Sequence, residues 1–109
     1  MFAIDSDNNI TVTKGDTLVA DITILDAQGE EYVAGEGDTL RFGAKRSASG
    51  ATVLSKIVPL DTKELRLEAS ETKQLDPGTY YYDIELETES GTVCTIINWR
   101  RLEVTEEAV

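Results

Sequence analysis

The stretch Asp76-Pro-Gly-Thr-Tyr-Tyr-Tyr-Asp-Ile-Glu-Leu86 joins a turn to a strict alternation of apolar and polar residues. Asp-Pro-Gly is typical of a turn, and successive side chains of a β-strand point to opposite faces. One face carries Tyr80, Tyr82, Ile84 and Leu86, and the other carries Tyr81, Asp83, Glu85 and Glu87. The stretch therefore predicts a strand with its first face in a core and its second face in water.

Asp76, Gly78 and Tyr80 form the pattern Asp-x-Gly-x-Tyr at the entrance to this strand. The pattern resembles the tyrosine corner of immunoglobulin-like sandwiches, where a Tyr near the start of strand F bonds upstream backbone. We therefore expect the hydroxyl of Tyr80 to donate to backbone just before it. Tyr82 stands where an antibody domain carries its second cysteine. Cys94 is the single cysteine, so no disulfide can form within the chain.

Other period-two segments bounded by turn formers predict the remaining strands. They are residues 10–12, 17–25, 40–46, 53–60, 64–68, 92–98 and 100–104. Pro59 is expected at a strand end or an edge, because proline cannot donate to a β-ladder. Residues 69–78 predict one helical turn, with Ser70 as its cap. Seven or eight short strands without a long helix predict an all-β fold, an immunoglobulin-like antiparallel β-sandwich, with a small barrel as the alternative.

The length of 109 residues fits one domain spanning 1–109. Residues 1–9 and 106–109 are expected to be flexible ends. No apolar run reaches the roughly 20 residues that span a bilayer, and the N-terminus lacks the basic and apolar regions of a signal peptide. We therefore expect synthesis in a cytosol and no membrane partner.

Charge and composition exclude several functional classes. With 21 acidic and 10 basic residues, the net charge of −11 repels nucleic acid. The chain has no histidine, which removes His-based nucleophile pairs, His-ligated zinc and the usual general base. Cys94 lies in an apolar segment and is expected to be a small buried residue. We therefore expect no enzyme, no catalytic residue and no cofactor.

Two acidic segments are candidate sites. Asp5-Ser-Asp-Asn-Asn9 resembles the opening of a calcium loop, but Ile10 replaces the required glycine and the loop lacks its closing glutamate. No metal site is therefore expected. Asp83, Glu85 and Glu87 share a strand face, and we interpret them as its solvated side.

Three aromatic residues, Tyr32, Tyr81 and Trp99, are not obviously committed to the core. Trp99 interrupts the alternation of its segment and precedes Arg100 and Arg101. Aromatic and arginine side chains are enriched at interface hot spots, so Trp99, Arg100, Arg101 and Tyr81 form the candidate interface. The alternative is that Trp99 caps the core.

Several elements resemble the immunoglobulin-like modules of bacteriophage and prophage tail proteins, particularly the N-terminal domain of baseplate upper proteins. The matching segments are 75–86, 91–96 and 103–105, within a resemblance that covers about 90 residues. Asn98-Trp99-Arg100 stands where that family carries a glycine-containing turn. The resemblance implies a non-catalytic structural or assembly module that contacts other virion proteins, or itself as a homo-oligomer.

A second class of function remains open from the residues alone. A carbohydrate-binding or adhesin-type sandwich would need a planar aromatic platform or a calcium site.

Overall fold

A computed structural model describes residues 2–47 and 49–106 of the chain. The elements are β1 (Phe2–Ile4), β2 (Ile10–Thr13), β3 (Leu18–Asp21), β4 (Thr39–Lys45), β5 (Thr52–Val58), β6 (Glu64–Leu67), α1 (Ala69–Thr72), β7 (Gly78–Glu87) and β8 (Val93–Thr105). The eight strands of this described part agree with the seven or eight predicted. No helix within it is long and apolar enough to cross a bilayer.

The strands form a two-layer sandwich. One sheet has six strands in the order β1-β2-β8-β7-β4-β5, and the other contains β3 and β6. The neighbours β4, β7 and β8 correspond to strands C, F and G of an immunoglobulin fold, and β3 and β6 correspond to B and E. The protein is therefore the all-β immunoglobulin-like sandwich that the alternation predicts.

The core lies between the two sheets and consists of the apolar faces of the predicted strands. Its buried residues are Ile10, Val12, Leu18, Ala20, Ile22, Ile24, Leu40, Phe42, Ala44, Val58, Leu65, Leu67, Leu75, Tyr80, Tyr82, Ile84, Leu86, Leu102 and Val104. The rings of Phe42 and Tyr82 meet with their centroids 5.6 Å apart. The predicted inward face of β7 is confirmed in full, which fixes Tyr81 and Asp83 on the outer face of the large sheet.

One pair of strands departs from the antiparallel arrangement, because β2 runs parallel to β8. The intervening chain supplies the crossover that a parallel pair needs, and β2 covers the edge of β8 at residues 102–105. Within the end expected to be flexible at 1–9, Phe2–Ile4 pairs with β2, and the turn at Asp5–Asn9 connects the two strands. The other expected flexible end, 106–109, lies outside the described residues except for residue 106.

Three local predictions are corrected. The strand predicted at 17–25 ends at Asp21, and the backbone N–H of Ile22 instead bonds the carbonyl of Lys63 at 2.8 Å. The segments 92–98 and 100–104 form one strand, because bulges absorb the break in alternation. The cap of α1 is Glu68, not Ser70, and the Glu71 carboxylate accepts from the Glu68 N–H at 2.8 Å.

Cys94 is exposed, so the prediction that it is buried is wrong. The strand β8 has thirteen residues, but β2 pairs only with residues 102–105 of it. Val93 to Thr95 therefore lie at an edge of the large sheet, and all three are exposed.

Candidate functional site

The predicted tyrosine corner is present at the entrance to β7. The Tyr80 hydroxyl donates to the backbone oxygen of Asp76 at 2.7 Å and accepts from Nη2 of Arg46 at 3.2 Å. The Arg46 guanidinium also lies 4.5 Å from the Tyr80 ring centroid, a cation–π contact. Gly78 has a φ of 145°, and a Cβ there would come within 3.0 Å of Nη1 of Arg46. These residues stabilise the fold and leave no open site.

Tyr81 lies on the outer face of the large sheet, in a cross-strand row. Its neighbours in register are Lys45 on β4 and Arg101 on β8. Directly opposed residues of adjacent strands project from the same face, so this row combines one aromatic and two basic side chains. Tyr81 is 41% exposed, as the alternation predicts.

Trp99 lies beside this row, at a β-bulge. Asn98 and Trp99 both face Asp83, because the register passes from Tyr82–Arg100 to Ile84–Ile97. Trp99 has a φ of 27°, a left-handed conformation that glycine adopts more readily. The ammonium of Lys45 lies 5.2 Å from the Trp99 ring centroid.

The alternative reading of Trp99 as a cap of the core is wrong. Trp99 is half-buried, but it is neither a member of the core nor one of the partly buried residues packed against it. It lies beside Tyr81 and Arg101 at a shallow depression of about 410 Å³. We call Lys45, Tyr81, Trp99 and Arg101 the Trp99 patch.

The side chain of Arg100 bonds backbone near the bulge and is not part of the Trp99 patch. Its Nε donates to the backbone oxygen of Asp7 at 3.0 Å, and its Nη1 donates to that of Asn98 at 3.0 Å. The Arg101 N–H bonds Oδ1 of Asn9 at 3.0 Å, which also ties β8 to the turn between β1 and β2. Of the two predicted arginines, Arg101 thus keeps its guanidinium free of such backbone bonds within the described residues.

Tyr32 is half-buried. It packs against the core, and its hydroxyl donates to Oδ2 of Asp38 at 2.6 Å. The same oxygen accepts from the N–H of Gly35 at 2.9 Å. The bond from Tyr32, followed by that from Gly35, lowers the pKa of Asp38 below its ordinary value. Asp38 therefore closes a loop, and Tyr32 contributes nothing to the Trp99 patch.

The Asp5–Asn9 segment forms a self-contained turn. Oδ1 of Asp5 accepts from the N–H groups of Asp7 and Asn9, both at 2.9 Å, and Oδ2 accepts from Nδ2 of Asn9 at 3.2 Å. The backbone bond from Asn9 is the largest influence that lowers the pKa of Asp5. Within the described residues no group of three or more His, Cys, Asp or Glu side chains is placed to hold a metal ion.

The acidic outer face of β7 is less open than a solvated strand face would be. Asp83 and Glu85 are half-buried. Burial, followed by the charge of Glu85, raises the pKa of Asp83. Both line a depression of about 250 Å³ over Gly43, which we call the Gly43 groove. The sequence contains one indication of this groove, because a glycine inside a strand often marks a place where a ligand or another segment approaches the backbone.

No protein-family model matches the chain, and no curated protein matches it. Among solved structures, the chain is similar to the crystal structure of CopC from Methylosinus trichosporium OB3b. The TM-score is 0.41 and the identity 18%, over 68% of this chain and 72% of that chain. The sheet topology, and not this likeness, makes the protein an immunoglobulin-like β-sandwich.

Proposed function

We propose that the protein is a non-catalytic structural or assembly module of a phage or prophage tail or baseplate. It is made in a bacterial cytoplasm and works through contacts with other virion proteins or with its own copies. Support comes from the resemblance of segments 75–86, 91–96 and 103–105 to phage tail modules. The absence of histidine from the chain also favours a binding role over acid–base or nucleophilic catalysis.

The Trp99 patch is the observation that carries this proposal. It places two aromatic and two basic side chains together on the exposed sheet face of a chain whose net charge is −11. Aromatic and arginine residues dominate the binding energy of many interfaces. The rest of the surface is acidic and repels other copies of the protein. The basic Trp99 patch is therefore where an acidic protein surface can approach.

Self-association is tested by light scattering after size exclusion at high protein concentration. Trp99→Ala should lower the mass to that of a monomer while circular dichroism stays unchanged, because the side chain contributes to the patch and not to the core. Phe2→Ala is the matched control, since Phe2 is an exposed aromatic of β1. A wild-type monomer, or an equal effect of both variants, would refute self-association through the patch.

Association with a virion is tested separately. Phage-like particles are purified from the encoding bacterium after induction, and the chain is quantified by mass spectrometry against known tail proteins. We expect a fixed ratio to tail proteins and tail or baseplate genes beside the coding sequence. Absence of the chain from the particles would overturn the assembly role, whatever the oligomeric state of the isolated protein.

A further inference from the structure

The Gly43 groove lies on the outer face of the large sheet, and its floor is the one position there that lacks a side chain in the middle of β4. Gly43 pairs with Ser55 on β5 and with Asp83 on β7. The row on one side contains Arg41 and Glu85, and the row on the other contains Lys45 and Tyr81. The groove thus has a missing side chain at its centre and polar side chains around it.

Trp99 lines the groove at its β8 side. The bulge places Asn98 and Trp99 opposite Asp83, and the Lys45 ammonium lies 5.2 Å from the indole centroid. An indole offers a flat apolar surface at low entropic cost. One wall of the groove is therefore aromatic, whereas its other walls are polar.

The groove has equal numbers of positive and negative side chains, and these do not form ion pairs with one another. Arg41 and Lys45 oppose Asp83 and Glu85, so their formal charges sum to zero. Within the described residues, none of these four forms an ion pair or a hydrogen bond with another side chain. The Asp83 carboxylate accepts from its own backbone N–H, and the Lys45 ammonium lies over the Trp99 ring. Donors and acceptors therefore line the same small volume and remain available to a ligand.

A volume of about 250 Å³ corresponds to roughly eight water molecules at about 30 Å³ each, below the usual range for drug-sized ligands. A groove without net charge does not attract an ion, and removing an ion from water costs much more free energy than removing a hydroxyl. A hydroxyl both donates and accepts, so one ligand with several hydroxyls can satisfy the carboxylates and the cations together. Its C–H groups can lie against the indole.

We propose that the Gly43 groove is a binding site for a single neutral sugar ring. Asp83 and Glu85 accept from the hydroxyls of the ring, Arg41 and Lys45 donate to them, and Trp99 covers an apolar face. The raised pKa of Asp83, caused first by burial and then by Glu85, agrees with a carboxyl group already withdrawn from water. The proposal does not depend on the assembly role, although Trp99 belongs to both surfaces.

Trp99 is the single tryptophan of the chain, so intrinsic fluorescence reports directly on the groove. The wild-type protein is titrated with glucose, galactose, mannose and N-acetylglucosamine, and with n-butylamine and glycine as charged probes. We expect at least one sugar to give a saturable change, and the charged probes to give none. Backbone amide shifts in nuclear magnetic resonance should locate the change at Gly43 and Asp83.

Gly43→Val fills the floor of the groove and should abolish the response. A Cβ at Gly43 meets only Oδ1 of Asp83, at 3.4 Å, so the strand can accept a side chain. Ala3→Val is the matched control, because Ala3 is an exposed residue of the edge strand β1. Asp83→Asn keeps the shape of the side chain but removes its charge, and should weaken binding roughly tenfold.

The proposal is overturned if no sugar gives a saturable change, if Gly43→Val responds like the wild type, or if an amine or glycine binds instead. Should Gly43→Val fail to fold by circular dichroism, Asp83→Asn decides the matter, and an unchanged affinity overturns it. Both variants are expected to keep the wild-type mass in light scattering. A failure of the sugar site is thereby distinguishable from a failure of the assembly role.

Discussion

Tyr80→Phe tests whether the tyrosine corner stabilises the sandwich through its hydroxyl. The substitution removes one bond to the Asp76 carbonyl at 2.7 Å and one from Arg46 at 3.2 Å, at a residue that is 3% exposed. Each bond contributes about 1 kcal/mol, and the exposed position of Arg46 reduces its share. The cation–π contact with the ring survives in phenylalanine. We therefore expect the free energy of unfolding to fall by about 1 to 2 kcal/mol.

The measurement is urea denaturation, with the midpoint and the slope fitted for each protein. Tyr81→Phe is the control, because Tyr81 lies on the opposite face of the strand and is 41% exposed. This substitution should change the free energy of unfolding by less than about 0.5 kcal/mol. In thermal unfolding, the loss at Tyr80 should lower the melting temperature by roughly 4 to 8 °C per kcal/mol. Equal losses for the two variants would refute the role of the corner.

Three other predictions concern the bulge, the buried tyrosine and the first turn. Trp99→Gly should be more stable in urea than Trp99→Ala by about 0.5 to 1 kcal/mol, because only glycine adopts the φ of 27° without strain; the reverse order would contradict this. Burial raises the pKa of Tyr82 from 10.0 to about 12. Between these two pKa values the folded protein keeps a phenol proton that the unfolded chain loses, so the free energy of unfolding should fall by roughly 2 to 3 kcal/mol as the pH rises through this range. Tyr82→Phe should reduce this dependence of stability on pH, and an unchanged dependence would contradict the prediction. Millimolar calcium should move the melting temperature by less than about one degree, because Asp5 already accepts three bonds; a rise abolished by Asp7→Ala would show a site.

Strict alternation was enough to predict β4, β6 and β7, because a one-residue slip would move every core side chain into water. The same logic placed Tyr81 on the outer face, whereas the Asp-x-Gly-x-Tyr pattern predicted that the Tyr80 hydroxyl bonds backbone just before it. The parallel pairing of β2 with β8 could not be predicted in this way, since it joins segments about 90 residues apart. Pairing partners depend on the whole fold, whereas alternation is local.

The Gly43 groove and the exposure of Cys94 were missed for a related reason. Both depend on what lies beside the residue on a neighbouring strand or across the sandwich. Gly43 forms a groove because Asp83 and the Trp99 bulge lie beside it, and Cys94 is exposed on the part of β8 that does not pair with β2. Arg41, Gly43 and Lys45 could be assigned to one face from sequence, but their cross-strand neighbours could not.

The parallel ladder between β2 and β8 determines how the domain resists mechanical force. Ile10 pairs with Leu102 and Thr13 with Thr105, so tension between the N-terminal end of β2 and the C-terminal end of β8 acts along the ladder. All of its hydrogen bonds are then sheared together. The antiparallel β1, which turns back at Asp5–Asn9, can instead be peeled from β2 one bond at a time. Under pulling, a short extension should therefore precede an abrupt rupture of the sandwich.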